Sequence, residues 1–349
     1  MKSPRQLLLD AAEGLTPGYF AMVMATGIVA IAAHLEEIPA IPTALARLNW
    51  IAYGILWLLT LVRLLRFSGR LLRDFADHLR GPGFFTIIAA TSVLGAQAFT
   101  IERSESTAIV LWYSAAGLWC LITYPFFVVM AVGEKKASLA SQIDGGWLVA
   151  VVATQSLVVL RAAIGAEAIP SAGVQFFCLC LFLIGGMLYL FIITLIFYRL
   201  HFLPLSPREF DLLYWINMGG AAISVLAGSL LVLRADAWPI VADYLLFVEG
   251  VTVSFWAAAS WWIPFLTALM LWRYVVRRDE LRYEPSFWGM VFPLGMYATA
   301  TFELMRAEKL PFLEPIPHIF AYVALAAWLL TFCGLLLSLA AGFRTRQPT

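Results

Sequence analysis

Two neighbouring residues in one apolar stretch, Phe292 and Pro293 in FWGMVFPLG, combine a bulky ring with a break in the backbone hydrogen-bond ladder. Proline removes a helical donor and bends its helix. A phenyl ring held at such a bend can close a narrow aqueous path by excluding water. Ordinary packing is the other reading of the same ring, and these two residues alone do not choose between them. At the same depth the other segments offer mostly small or aliphatic side chains: Met24 and Ala25, Ala89 and Ala90, Val151 and Val152, Gly219 and Gly220. Uncharged polar groups lie close by, namely Thr26, Thr91, Ser92, Gln97, Thr154, Gln155, Asn217, Ser224, Thr299 and Thr301. A single helical Ser or Thr commonly bonds the carbonyl one turn back; as a set, these groups can replace part of an ion's hydration. No Asp, Glu, Lys, Arg or His falls in the central part of any apolar stretch. A charge at mid-membrane costs about 2.5–3.5 kcal/mol on insertion scales, a cost that pumps and proton relays accept for function. Its avoidance here fits weak, rapid passage of ions better than tight binding.

Other chemistries find little to work with. Haem in a helical bundle needs histidines at membrane depth on facing helices, whereas His34, His78, His201 and His318 fall at helix ends or in loops. A haem- or quinone-reactive membrane enzyme is therefore disfavoured, no cofactor or metal is expected, and no nucleophile–base–acid set stands out. Cys178 and Cys180 are two apart on a helix and point to different faces, which argues against a shared metal. Net charge is +1 and the basic residues sit at helix ends, so nucleic-acid binding has no support.

The elements that would position these groups are membrane helices. Hydrophobic residues make up 62% of the 349 and charged residues 13%, outside the range of soluble domains. Ten stretches are long enough to cross the roughly 30 Å hydrocarbon layer, near 17–34, 45–66, 83–100, 108–131, 145–163, 172–198, 212–233, 246–274, 285–304 and 317–343. They leave little length for anything else, so residues 1–349 read as one transmembrane domain. Segment 67–80, with apolar residues at helical spacing and alternating charge, reads as an amphipathic surface helix. The start, MKSPRQLLLDAAEGL, lacks the apolar core and cleavage site of a signal peptide, so the first helix is expected to direct insertion.

Five of the stretches open alike, with Phe20, Phe85, Trp147, Trp215 and Trp288 at separations of 65, 62, 68 and 73 residues. Each interval has room for one further span, which implies five helical hairpins. The odd-numbered helices are rich in Gly, Ala, Ser and Thr, which allow close approach. The even-numbered ones are bulkier and carry Trp57, Trp112, Trp119, Trp256, Trp261, Trp262, Trp272 and Trp328, a composition suited to lipid and neighbouring subunits. The expected fold is thus all-α and integral to the membrane, with odd-numbered helices around a quasi-fivefold central pore and even-numbered helices outside. With the N-terminus inside, seventeen Lys and Arg lie on the cytoplasmic side. These are Lys2, Arg5, Arg63, Arg66, Arg70, Arg73, Arg80, Lys135, Lys136, Arg199, Arg208, Arg273, Arg277, Arg278, Arg282, Arg344 and Arg346. Only Arg47, Arg103, Arg161, Arg234, Arg306 and Lys309 remain outside. Both termini are therefore expected in the cytoplasm, and the membrane is the plasma or inner membrane. Helix N-termini and arginines make the cytoplasmic mouth positive, favouring anions.

From PGYFAMVMATGIVA at 17–30 to FWGMVFPLGMYATAT at 287–301, the chain resembles the tellurite-resistance and dicarboxylate transporter family, with its slow anion channels, malate permeases and sulfite exporters. The aromatic-rich FP motif is the most specific part of the likeness. The resemblance implies ten helices in five hairpins around a pore, assembly as homotrimers, and Phe292 as the gate with Pro293 as the kinking residue beside it. It also implies a channel or transporter for small anions: chloride, nitrate, sulfite, tellurite or C4-dicarboxylates such as malate. Met24, Ala25, Thr26, Ala89, Ala90, Thr91, Val151, Val152, Gly219, Gly220 and Asn217 are the candidate pore lining. The alternative is a proton-coupled C4-dicarboxylate carrier, for which Glu249 and Glu303 are the titratable candidates. Arg161, Arg234 and Arg306 at the outer ends could attract anions or pair with Glu167, Asp236 and Glu303.

Overall fold

The computed structural model describes residues 3–134, 138–164, 169–207 and 209–344. Lys2, Lys135, Lys136, Arg208, Arg346 and Glu167, which the topology and ion-pair readings invoke, lie outside them. The described residues are overwhelmingly helical and include no strand. Ten long helices carry the fold: α1 (Ala21–Leu35), α2 (Ile41–Arg66), α3 (Phe85–Thr100), α4 (Glu105–Val132), α5 (Val149–Ala163), α6 (Ala172–Phe202), α7 (Ile216–Arg234), α8 (Leu245–Leu271), α9 (Trp288–Ala307) and α10 (Pro315–Arg344). Among the described residues, nine helical segments are long and apolar enough to cross a membrane. Helix α9 has 20 residues but not the hydropathy, because Gly289, Pro293, Gly295, Tyr297, Thr299, Thr301 and Glu303 dilute it. The dilution is tolerable because protein surrounds it: Trp288, Phe292, Thr299, Thr301 and ten further residues of α9 up to Leu304 are buried alongside Glu303.

The odd-numbered helices pack in a closed cycle. Helix α1 touches α3, α3 touches α5, α5 touches α7, α7 touches α9, and α9 returns to α1. Each also pairs with the even-numbered helix that follows it. Burial separates the two sets: 72–89% of the most apolar window is buried in the spans containing α1, α3, α5 and α7, against 17–44% in the five even-numbered spans.

Helices α1 and α5 have only 15 residues each, about 22 Å at 1.5 Å per residue. A four-residue 3-10 turn adds about 8 Å, and such turns stand where they are needed: Pro17–Phe20, Gly81–Phe84, Gly145–Leu148, Leu212–Trp215 and Pro285–Phe287 each lead into an odd-numbered helix. The turns touch one another in the same cyclic order and form a collar. Their last residues, Phe20, Phe84, Leu148, Trp215 and Phe287, set the register of the repeat. This register differs by one residue from the sequence alignment at Phe85, Trp147 and Trp288. In those three turns two bulky residues stand side by side, and matching aromatic to aromatic picks the wrong neighbour.

Close backbone contact ties the collar together. A Cβ on Gly145 would run into the carbonyl oxygen of Leu213 in the next turn, and one on Gly83 would lie 2.8 Å from the Gly18 nitrogen. Thr86 donates its hydroxyl to the Pro17 carbonyl at 3.0 Å. Buried arginines at the collar-side ends of outer helices hold the segments leading into the collar: Arg63 reaches the Leu15 carbonyl and Asp74, and Arg273 donates to the Phe210 carbonyl at 2.6 Å. These arginines therefore do more than set topology. The expected amphipathic helix is present as Ser68–Phe75, and its Asp74 is buried by Arg63 and Arg80.

Candidate permeation pathway

Two cavities lie within the cycle of odd-numbered helices. The first, about 160 Å³, is at the collar end, lined by Pro17, Gly18, Ala21 and Met24 from the α1 arm, Gly83 and Thr86 from α3, and Gly146, Val149 and Val152 from α5. Leu213 and Ile216 complete it on the α7 side, and Pro285, Ser286, Trp288, Gly289 and Phe292 on the α9 side. Arg80 is the one charged residue in this wall, with its guanidinium 3.0 Å from Asp74. The second cavity, about 60 Å³, is lined by Ile28, Ile31 and Leu35, then Ser92, Val93, Ala96 and Thr100, then Ser156, Val159 and Ala163. Ile223, Leu226, Leu230, Met296, Thr299 and Glu303 close it.

All five odd-numbered helices contribute to both linings, and on α1 and α5 the contributing residues recur every three or four positions, so one face of each of these helices is turned to both cavities. The interval between the cavities falls after Met24, Thr86, Val152, Ile216 and Phe292, and before Ile28, Ser92, Ser156, Ile223 and Met296. Ala25, Thr26, Ala89, Ala90, Thr91, Gly219 and Gly220 belong to this interval, while Met24, Val152 and Phe292 stand in the wall of the collar-side cavity. Val151 lines neither; Asn217 also falls in the interval, where its backbone carbonyl accepts from Tyr189 at 3.0 Å and its buried side-chain amide has no hydrogen-bond partner. Phe292 is 1% exposed. Its neighbour Pro293 presses against Gly219, where a Cβ would come within 2.7 Å of the proline Cγ.

The hydroxyl side chains among the uncharged polar groups sort into three groups. Thr26, Thr154 and Thr301 accept indole N–H bonds from Trp328 at 2.9 Å, Trp119 at 3.0 Å and Trp256 at 3.1 Å, and Thr91 shares a hydroxyl bond with Tyr53 at 2.8 Å. These threonines tie the inner helices to the outer ones. The tryptophans that composition alone assigns to lipid are in part buried, with Trp112, Trp119 and Trp262 each under 5% exposed, because an indole N–H in hydrocarbon needs a partner. Thr91, Thr154 and Ser224 also donate to the carbonyl one turn back. Ser92 and Thr299 form the third group, with buried hydroxyls that have no hydrogen-bond partner.

Charge is confined to the two ends. Asp144 and Asp211 cap adjacent collar turns through Gly146 and Leu213. Burial and the nearby Asp211 carboxylate push Asp144 up to about 7, against the opposing pull of the Gly146 N–H. At the far end Glu303, in the second cavity's wall, takes an ion pair from Arg306 at 2.9 Å. Arg234 instead donates to the carbonyls of Ala162 and Ala163, the last residues of α5.

A path of this kind can exclude or admit small solutes along its axis, and the comparisons with known proteins agree in kind. Residues 14–336 match the SLAC1 model, described as voltage-dependent anion channel. An uncharacterised membrane protein of Mycobacterium tuberculosis is 44% identical over 154 residues, covering 44% of this chain and 78% of that protein. An uncharacterised transporter of Methanocaldococcus jannaschii is 23% identical over 93% of both chains. The sulfite efflux pump SSU1 of Trichophyton rubrum is 24% identical over 92% of this chain and 90% of its own. The chain is therefore a multi-pass membrane protein of the SLAC1 voltage-dependent anion channel family.

Proposed function

We propose that the ten helices form five membrane hairpins, that the odd-numbered five enclose a quasi-fivefold anion pore, and that Phe292 is its gate. The observation that carries this reading is the pair of cavities, both walled by all five inner helices and interrupted at the depth of Phe292. An ion crossing that interruption must shed its hydration against aliphatic walls and a phenyl face, which is how hydrophobic constrictions gate. Pro293 leaves the Gly289 carbonyl without its i+4 donor and so gives α9 a bend at the gate. Arg80 and five helix starts at the collar give that mouth a positive field, which favours anions. The solutes proposed are small anions, with chloride, nitrate, sulfite, tellurite and C4-dicarboxylates as the panel. The collar, the arginines around it and both termini would face the cytoplasm of a plasma or inner membrane. The exposed apolar faces of the outer helices suit lipid and a homotrimer contact.

Replacing Phe292 by Ala in liposome-reconstituted protein should raise anion uptake by about tenfold or more, since a barrier lowered by only ~1.4 kcal/mol does this. Unchanged flux through folded protein would defeat the gate assignment. One observation favours the proton-coupled carrier as a second reading: Glu303 is the titratable side chain on the wall of the outer cavity. Uptake that collapses when the proton gradient is dissipated, and that Glu303→Gln abolishes, would select that reading over a channel.

A further inference from the structure

Of the hydroxyls along the axis, most are accounted for by an indole, a tyrosine or a carbonyl one turn back. Ser92 on α3 and Thr299 on α9 are different. Both side chains are at least 97% buried, at 1% and 3% exposure, both line the outer cavity, and neither oxygen has a partner. Of the two other hydroxyls in the same wall, Ser156 is already committed to the Ala153 carbonyl at 2.8 Å, and Thr100, at the end of α3, is only partly buried. A buried hydroxyl left without a hydrogen bond is destabilising. Two of them meeting in one cavity point to an absent occupant. The cavity, about 60 Å³, exceeds the roughly 10–15 Å³ that one water requires and has room for a partly dehydrated small ion.

The wall chemistry narrows the occupant. Ile28, Ile31, Val93, Ile223, Leu226 and Met296 supply no polar atoms beyond their backbones. Glu303 and Arg306 cancel one another as a bonded pair. A cation of the hard type would need about six oxygen ligands, more than two free hydroxyls provide, whereas a hydroxyl donates well to a negative charge. Two neutral donors can compensate the dehydration of a single diffuse charge. They cannot do so for a divalent one, whose solvation energy rises with the square of its charge.

We propose that Ser92 and Thr299 form an outer anion subsite, donating their hydroxyl protons to one monovalent anion of halide or nitrate size and so setting preference among the anions that pass Phe292. This rests on the reading of the axis as a pore. Dicarboxylates, being longer and divalent, are the disfavoured class at this subsite.

The test separates binding from conduction. Chloride binding to purified protein in detergent, followed by broadening of the 35Cl NMR line, should be displaced by nitrate and not by malate. Ser92→Ala and Thr299→Val should each weaken it about tenfold, as expected for one hydrogen bond to a charge. Thr267→Val on the outer face of α8 should leave it unchanged. Equal broadening in the double variant and the parent, an absence of chloride binding, or displacement by malate as effective as by nitrate would overturn the subsite. Flux is read separately in a Phe292→Ala background, where the double variant should carry anions with a raised half-saturation concentration and a smaller nitrate-to-malate ratio. Lack of any flux in that background would overturn conduction, with the NMR result still deciding the subsite.

Discussion

The inner and outer helices solve the membrane problem in opposite ways. The inner ones are short, depend on a 3-10 turn to reach across, and place glycines where another chain segment touches the backbone, as at Gly83, Gly145 and Gly219. The outer ones run 26–31 residues and hold onto the inner ring with indole and phenol groups. In them Gly54, Gly117 and Gly173 have nothing within 4 Å of where a Cβ would stand. The same residue type thus marks close packing on the inner set, and on the outer set only at particular contacts such as Gly185, where a Cβ would lie 2.5 Å from the Gln155 amide nitrogen of α5. Tight backbone contact is concentrated in the inner ring and its collar.

The sharpest way to break this comparison is a pair of alanine substitutions. Gly145→Ala should cost about 3 kcal/mol or more, because its Cβ meets backbone that cannot rotate away. Gly117→Ala should be neutral or stabilising by up to about 1 kcal/mol, the usual gain of alanine over glycine in a helix. Thermal melts in detergent check both. A large loss at Gly117 would mean that another surface covers that face of α4 in the assembled protein.

Next in size is Gly219→Ala. The new methyl would sit 2.7 Å from the Pro293 ring, an overpacking worth about 1–3 kcal/mol. Helix α9 has no slack on its other side, where a Cβ on Gly295 would lie 3.1 Å from both Ile28 and Val29. The strain should therefore shift Pro293 and the adjacent Phe292, raising basal anion leak in liposomes. In a Phe292→Ala background the same substitution should add little further flux. Equal increments in both backgrounds would detach Gly219 from the gate.

Much of this organisation was legible in the sequence because hydropathy and repeat spacing report directly on burial in lipid. The ten expected stretches coincide in position with the ten long helices, and among the described residues nine helical segments have the length and hydropathy to cross a membrane. Side-chain direction was less legible. Thr26, Thr91, Thr154 and Thr301 read as axial polar groups, yet each meets an aromatic side chain from the outer helix that precedes its own inner helix in the cycle: α10 for Thr26, α2 for Thr91, α4 for Thr154 and α8 for Thr301. The sequence offers only the aromatic half of such pairs and not the rotation of either helix. The five collar turns were likewise hidden in PGYF, GPGF, GGWL, LLYW and PSF. Their shared features, a bulky last residue preceded in four of the five by Gly or Pro, emerge only once the cycle of contacts is known.

The aromatic tethers give a third, smaller test. Trp119→Phe removes the N–H that Thr154 accepts, and Thr154→Val removes the acceptor, so a double-mutant cycle should return a coupling of about 1 kcal/mol. Trp261→Phe on the lipid-facing side, where the ring is 50% exposed, should change stability by a few tenths of a kcal/mol. Coupling near zero at Trp119 would reduce the tethers to packing and return the tryptophans to the lipid role that composition suggested.

The smallest effect expected is in the slope of stability with pH, and it bears on the collar alone. Asp144 is raised from an ordinary value of 3.8 to about 7. Between those two values the folded protein retains a proton that the unfolded chain releases, so the contribution of Asp144 to stability is complete below about pH 4 and declines as pH rises toward 7. Above that it is flat. Asp144→Asn keeps a side-chain acceptor for the Gly146 N–H and removes the titration, so its melting temperature should fall less than that of the parent from pH 4 to pH 7. Parallel melting curves for the two proteins would place the Asp144 carboxyl in water. They would also separate collar packing from the electrostatic coupling of Asp144 to Asp211, leaving the glycine contacts as what joins the third turn to the fourth.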